Sequence, residues 1–227
     1  DRIGIKDMWL FKWRTRTWER QQDMPHARWY PTVLQLPNRT FLTMMGEYSD
    51  NPVPGTPISV NMTPDLWTAI PGSSSPSNLL VPVTTRNQDV YYPHTFIHPV
   101  NGRPFYAASG LVGIDLQGQS ALFNLETLTW ESYAPIPNGF ANIRRAYPSS
   151  VMMDGVIYRS GGSRSDEQIA EAEDVATRIN LYDPNPQWTN IARMRRNRKN
   201  HTLTALPDGR IIAMGGNVRS YIEQAKN

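Results

Sequence analysis

A pair of histidines, His94 and His98, stands four residues apart. On a helix this spacing would place both imidazoles on one face and would suit zinc. Tyr92-Pro93 precedes the pair and Pro99 follows it, so the segment is predicted to be a strand. Four residues of strand separate the two side chains by about 13 Å, which is too far for one metal ion. The chain also has no cysteine, which removes disulfides, thiolate metal sites and Cys nucleophiles.

A second cluster that could do chemistry is a basic run near the end of the chain. Its five cations are Arg193, Arg195, Arg196, Arg198 and Lys199. Such a run can bind phosphates. We favour a solvated face, or a dock for the carboxylates between Asp166 and Asp174, because arginine recurs at this place elsewhere in the chain. The net charge of the whole chain is only +3, so the positive charge is concentrated in this run. A protein that binds nucleic acid over its whole surface is therefore disfavoured. The spacings contain no nucleophile elbow, phosphate loop or paired-carboxylate site, which disfavours hydrolases and NTPases.

The elements that must position these side chains recur along the chain. Each unit begins with an aromatic residue, a turn and a Trp. A single polar or aromatic residue follows at a fixed place, which we call the slot, and after it come an apolar run, a hairpin turn, a second apolar run and glycine. The Trp residues are Trp18, Trp67, Trp130 and Trp188. The slot residues are Tyr30, Tyr92, Tyr147 and Asn200, and in three units an arginine stands two positions earlier, at Arg28, Arg145 and Arg198. The units cover about residues 9–46, 66–110, 121–162 and 179–216.

This repeat predicts the fold class. A period of about 50 residues with hairpin turns is typical of kelch-type propellers. We therefore predict an all-β, kelch-type β-propeller with about four blades visible, as part of a six- or seven-bladed ring completed by further blades or by another chain. Evenly spaced strands alone would also allow a β-sandwich, which is the alternative fold.

Three segments interrupt the strand pattern. Residues 164–176 are predicted to be an acidic surface insertion, and Ser165 to Asp174 within it is the one helix-like stretch. Residues 50–58 and 71–87 are rich in Pro, Gly and Ser and are predicted to be long loops at one end of the blades.

One string carries a family resemblance. Met24-Pro25-His26-Ala27-Arg28-Trp29-Tyr30-Pro31-Thr32, followed by Leu36-Pro37 and Met44-Met45-Gly46, resembles the galactose oxidase and glyoxal oxidase family of copper-radical oxidases. Arg145 to Gly162 and Arg198 to Gly216 are similar to other blades of that propeller. The resemblance implies one copper ion held by two Tyr and two His, with one Tyr joined to a Cys. It also implies oxidation of an alcohol or aldehyde coupled to reduction of oxygen to peroxide.

Carried onto this chain, the resemblance places Tyr30 at the crosslinked, copper-binding tyrosine and Tyr48 at the aromatic residue stacked over it. His201 follows Asn200 at a place similar to the family's Tyr-His ligand pair, so the implied metal ligands are Tyr30 and His201. The Tyr of that pair and the Cys of the crosslink are both missing here. The alternative is that a tyrosine in this slot packs between blades.

Two functions are open at this point. The first is a copper-radical oxidase segment, either active or degenerate, that acts on a small alcohol, an aldehyde or a carbohydrate. The second is a non-catalytic propeller that binds a protein or glycan partner through its loops. No stretch approaches the roughly 20 apolar residues of a membrane span. Asn38, Asn61 and Asn200 each begin an Asn-x-Ser/Thr sequon, which favours an extracellular, secreted protein.

Overall fold

The computed structural model describes residues 4–48, 59–60, 64–68, 77–78, 92–108, 119–127, 129–135, 147–163 and 171–218. Throughout these ranges the regular structure is all β, with no helix. The predicted all-β class is therefore confirmed. Residues 50–58, most of 71–87 and residues 164–170 lie outside the described ranges. Glu171 to Asp174, the described end of the predicted helix-like stretch, is not helical; there Ala172 forms an isolated bridge with Ser163.

The strands follow the predicted apolar runs. The first half of the chain forms β1 (Trp9–Lys12), β2 (Thr17–Arg20), β3 (Thr32–Gln35), β4 (Thr40–Met44), β5 (Glu47–Tyr48), β6 (Ser59–Val60), β7 (Asp65–Thr68) and β8 (Ser77–Asn78). The second half forms β9 (His94–Ile97), β10 (Pro104–Ala108), β11 (Gln119–Asn124), β12 (Thr129–Pro135), β13 (Ser149–Met153), β14 (Val156–Ser160), β15 (Ala176–Asn180), β16 (Thr189–Ile191), β17 (Lys199–Ala205) and β18 (Ile211–Asn217). Each predicted hairpin turn therefore falls between two paired strands.

Pairing is antiparallel throughout and organises the strands into three four-stranded sheets. Sheet I has the order β3-β4-β7-β8, sheet II the order β9-β10-β11-β12, and sheet III the order β13-β14-β15-β16. A two-stranded hairpin stands at each end of the described chain, β1-β2 at the start and β17-β18 at the end. Each repeat unit thus contributes its Trp-bearing strands to one sheet and its slot and following hairpin to the next.

The aromatic-to-Trp signature has a fixed geometry. Phe11 lies opposite Trp18 in β1-β2, and Phe123 lies opposite Trp130 in β11-β12. The ring centroids are 5.0 Å apart in both pairs, and the rings are tilted by 48° and 56°. In β1-β2 the pair is exposed, whereas Phe123 is fully buried. The repeated letters therefore encode a repeated cross-strand pair, which is the unit of stabilisation in a sheet.

The core lies between the sheets. Side chains alternate between the two faces of a strand, so sheet II presents Tyr106 and Phe123 to sheet I and presents Phe105 and Leu122 to sheet III. Sheet II is consequently covered on both faces. A two-sheet sandwich buries only the inner face of each sheet, so this stacking does not fit the sandwich alternative.

Candidate functional site

The four slot residues share an uncommon backbone conformation. Tyr30, Tyr92, Tyr147 and Asn200 have φ angles of 67°, 48°, 60° and 55°. Asparagine tolerates this left-handed region, but a bulky residue such as tyrosine adopts it at a cost of about 1–3 kcal/mol. Strain of this kind is concentrated at binding and active sites. The slot is therefore a structural repeat, and three of its four described members hold a phenol in a strained position.

Backbone hydrogen bonds join neighbouring slots. The Tyr92 N–H donates to the Tyr30 carbonyl at 3.2 Å, and the Asn200 N–H donates to the Tyr147 carbonyl at 3.1 Å. These bonds lie at the N-terminal ends of β9 and β17, whose neighbours are β3 and β13. The slots of adjacent sheets therefore meet at one end of the first strands, where side chains from distant parts of the sequence can act on one ligand.

Three aromatic rings form a stack at this end. The Trp29 and Tyr30 centroids are 3.4 Å apart with the rings within 20° of parallel. The Tyr30 and Tyr92 centroids are 4.5 Å apart at 30°. Tyr92 is 46% exposed and so offers a ring face to solvent. We call Trp29, Tyr30 and Tyr92 the aromatic platform.

The electrostatics of the aromatic platform favour neutral phenols. Burial, together with the charge and hydrogen bond of the Tyr30 phenol, raises the pKa of Tyr92 to about 12. A phenol of this kind stays protonated at physiological pH. The neutral Tyr92 phenol can donate and accept hydrogen bonds, but it has no negative charge that would attract a metal ion.

The arginine two positions before the slot has a structural role. Arg28 donates from Nη1 to the Met45 carbonyl at 2.8 Å, just before Gly46. Arg198 makes the equivalent bond to the Gly215 carbonyl at 2.6 Å, just before Gly216. The glycines are required there, because a Cβ on Gly216 would clash with the Lys199 carbonyl oxygen and its φ is 84°. The arginine two positions before the slot and the glycine that ends the unit therefore recur together because the arginine binds the carbonyl just before that glycine.

The rest of the basic run is also engaged in part. Arg193 pairs with Asp174 at 2.7 Å, which is an ion pair with the acidic segment of the kind expected from the sequence. Lys199 is 1% exposed. Within the described structure, Arg195 and Arg196 are the two members of the run that are exposed and make no side-chain contact. A phosphate-binding face would need more of the five cations at the surface.

The other two residues implied by the resemblance have different surroundings. Tyr48 lies in β5 with its backbone opposite Ser59, and its side chain is outside the described residues. Among the described residues, the rings that stack on Tyr30 are those of Trp29 and Tyr92. His201 is buried, with Nε2 2.9 Å from the Ser160 hydroxyl and the ring packed on Gly161. Burial and the nearby Arg198 charge lower the pKa of His201.

The two metal ligands that the resemblance implies, Tyr30 and His201, have different described surroundings. The ring and phenol of Tyr30 contact Trp29 and Tyr92, whereas the described contacts of His201 are with Ser160 and Gly161. No group of three or more His, Cys, Asp or Glu side chains is assembled anywhere in the described part of the chain.

The two spaced histidines are held apart, as the strand prediction requires. His94 lies in β9, with Nδ1 2.9 Å from the Ser150 hydroxyl of β13. His98 follows the strand, with Nε2 2.9 Å from the Tyr133 hydroxyl. Each imidazole therefore has its own hydroxyl partner and they share no ligand.

Sequence reasoning missed one residue, Arg159. It lies in β14 and is 6% exposed, with no carboxylate partner in the described structure. The alternation of side chains along the strand could have identified it. Arg159 stands two residues after the buried Ile157 and so lies on the same, buried face.

Comparisons with known proteins address the fold. No protein-family model and no curated protein matches the sequence. The structure is similar to a novel fungal alcohol oxidase of the AA5 family solved in complex with copper, with a TM-score of 0.71 and 13% identity over 96% of this chain and 44% of that one. It is also similar to the structure of YjhT, with a TM-score of 0.69 and 12% identity over 92% of this chain and 65% of that one.

This chain therefore spans less than two thirds of the length of either structure. The described residues include no helix with the length and apolar character that a membrane span needs. At this identity the likeness shows the fold alone. The chain has an all-β fold of stacked antiparallel sheets that is similar to the fold of this AA5 alcohol oxidase.

Proposed function

We propose that the chain is part of a kelch-type β-propeller whose slot end binds a neutral carbohydrate. The observation that carries this proposal is the aromatic platform, an ordered stack of Trp29, Tyr30 and Tyr92 with Tyr92 nearly half exposed. The apolar C–H face of a sugar ring packs against an aromatic ring, whose face is electron-rich. The hydroxyls around the sugar ring then require nearby polar groups.

Those polar groups are present at the same end of the sheets. The Tyr92 phenol is an uncharged hydrogen-bonding group that contacts the Tyr30 phenol, and the exposed residue Asn200 occupies an equivalent slot. A neutral ligand suits this chemistry, because Tyr92, the exposed member of the aromatic platform, is uncharged at physiological pH. Sugar binding should therefore be independent of pH between about 6 and 9, far below the raised pKa of Tyr92.

The test is a titration of the chain with neutral hexose oligosaccharides, in which binding is measured by calorimetry and by tryptophan fluorescence. Tyr92→Ala should weaken the binding at least tenfold because it removes the exposed ring face. Tyr182→Ala is the matched control, since Tyr182 is also exposed, at 55%, and packs on Gly155 away from the slots. Failure of every neutral oligosaccharide to bind, or an unchanged affinity in Tyr92→Ala, would overturn the proposal.

A second candidate is oxidation of a small alcohol, aldehyde or sugar with oxygen at the same end. It is supported by the fold likeness to a copper alcohol oxidase and by two phenols in contact at Tyr30 and Tyr92. Its test is to add Cu(II) and measure bound copper and peroxide production from primary alcohols. Near-stoichiometric copper, and peroxide that disappears in Tyr30→Phe, would favour the oxidase. Sugar binding without copper or peroxide would favour the binding function.

Both candidates carry the expectation of an extracellular protein with a small-molecule or glycan partner. The three sequons found in the sequence provide the check. Secretion of the natural protein with a glycan attached to Asn38, which lies in the exposed turn between β3 and β4, would support it. An unmodified intracellular protein would contradict it.

A further inference from the structure

A buried guanidinium stands outside the slot site. Arg159 lies in β14 at the interface of sheets II and III and is 6% exposed, and its Nε is buried without a hydrogen-bond partner in the described structure. Burial lowers its pKa to about 10, with the Tyr106 phenol acting in the opposite direction. Because this value is still well above neutral pH, the side chain is positively charged inside the protein.

The strand register shows which side chains surround it. Arg159 pairs with Ser150 of β13 and with Thr177 of β15, so the three side chains form one row on one face of sheet III. The Thr177 hydroxyl is also buried without a partner among the described residues. Side chains directly opposite in a sheet have Cβ atoms about 5 Å apart. The unpartnered Arg159 Nε–H and the unpartnered Thr177 hydroxyl therefore belong to neighbouring side chains on the same face of sheet III.

Among the described residues, no carboxylate contacts this row. His94 contacts Ser150, and its pKa is lowered to about 4 by burial and by the charges of Arg159 and His201. It is neutral at physiological pH. A buried charge without a counter-ion destabilises a protein by several kcal/mol, and unpartnered donors add to that cost.

We propose that Arg159 and Thr177 form a site for a small, weakly hydrated monovalent anion such as chloride or bromide. The adjoining row of the same face, Ile157 and Ile179, belongs to the apolar core, so an anion must lose water to enter. Chloride and bromide lose their hydration shells more readily than fluoride or sulfate, and their single charge matches one guanidinium. The anion accepts from the Arg159 N–H and from the Thr177 hydroxyl.

The experiment is thermal unfolding of the whole chain at constant ionic strength, with sodium gluconate replaced stepwise by sodium chloride or bromide. The Tm should rise along a saturable curve in chloride and bromide, and should change little in fluoride. Line broadening of ³⁵Cl NMR provides a second measurement that does not depend on stability. Added bromide should reverse this broadening by displacement.

Two variants make the test specific. Arg159→Met should abolish the anion dependence, and Thr177→Val, which preserves shape and charge, should weaken anion binding at least tenfold. Arg178→Met is the matched control, because Arg178 is the exposed neighbour of Thr177 on β15 and should leave anion binding unchanged. If Arg159→Met does not fold, Thr177→Val alone decides. Equal Tm values in chloride and gluconate, or a chloride effect that Thr177→Val leaves intact, would overturn the proposal.

Discussion

Arg28 and Arg159 are almost equally buried, at 3% and 6% exposure, yet their surroundings are opposite. Arg28 donates from Nε and Nη2 to Asp65 Oδ2 at 3.1 and 2.8 Å, and from Nη1 to the Met45 carbonyl. Arg159 has no such partners in the described structure. Burial alone therefore does not separate a structural arginine from a functional one. The hydrogen-bond partners do, because a satisfied charge stabilises the fold while an unsatisfied one attracts a ligand.

The two arginines also differ in their relation to the repeat. Arg28 occupies the place two residues before a slot, and Arg198 makes the same type of backbone contact in its own unit. Arg159 stands in the middle of β14, where no repeat position calls for a cation. A charge that the repeat explains supports the architecture, and a charge that the repeat does not explain directs attention to a ligand.

The largest expected effect comes from breaking the ion pair between Arg28 and Asp65. Arg28→Met leaves the Asp65 carboxylate, 2% exposed, without its partner and should lower the free energy of unfolding by about 3–5 kcal/mol. Urea denaturation measures this loss. The double variant Arg28→Met/Asp65→Leu should recover part of it, because it leaves no unpaired charge. A single variant within about 1 kcal/mol of wild type would remove the contrast between the two arginines.

The same substitution at the other arginine should act in the opposite direction. Arg159→Met in chloride-free gluconate removes an uncompensated charge and should leave stability unchanged or raise it by about 1–4 kcal/mol. Adding chloride should stabilise only the wild type, so the difference between the two proteins should shrink or reverse. A loss in gluconate as large as that of Arg28→Met would mean that Arg159 has a structural partner.

A smaller effect is expected from acid. The folded state keeps His94 neutral down to a pKa of about 4, whereas the unfolded chain takes up a proton near pH 6.5. The stabilisation from neutral His94 is therefore complete above about pH 6.5 and is lost as the pH falls towards 4. Burial lowers the pKa of His98 and His201 too, which adds to the same trend.

Imidazole NMR can connect this titration to the anion. Chloride beside Arg159, or the Arg159→Met substitution, should raise the pKa of His94 because either one reduces the positive field. His98 is the internal control, since its pKa is lowered by burial and by Arg103 instead. A His94 pKa that is the same in chloride and gluconate would argue against an anion at Arg159.

The smallest effect is expected at an exposed ion pair. Arg210 and Asp208 pair at 2.6 Å in the turn before β18, with both side chains largely in solvent. Water and salt screen such a pair, so Asp208→Asn should leave the urea midpoint unchanged within error. A clear fall in the urea midpoint of Asp208→Asn would show that the stabilisation by an arginine contact depends on its short distance rather than on its burial and hydrogen bonding.

Much of the fold could be predicted from the sequence, but less of the site. The hairpin turns, the all-β class and the slot positions are all present where the repeat indicated. The resemblance identified Tyr30 as the central phenol and Tyr48 and His201 as its companions. These site assignments stay predictions. The structure adds that Tyr30 stacks with Trp29 and Tyr92, and that the ring of His201 packs on Ser160 and Gly161 of sheet III.

The sequence by itself determined the features that depend on neighbours along the chain. Turn residues, the period of two and the glycines with positive φ are local preferences, and so they can be read from the order of residues. Only the tertiary structure decided that Tyr92 stacks on Tyr30, that Arg28 has a carboxylate and that Arg159 does not. Those properties come from residues on different strands and sheets, because burial and pairing depend on distances in space that the spacing of a linear pattern does not contain.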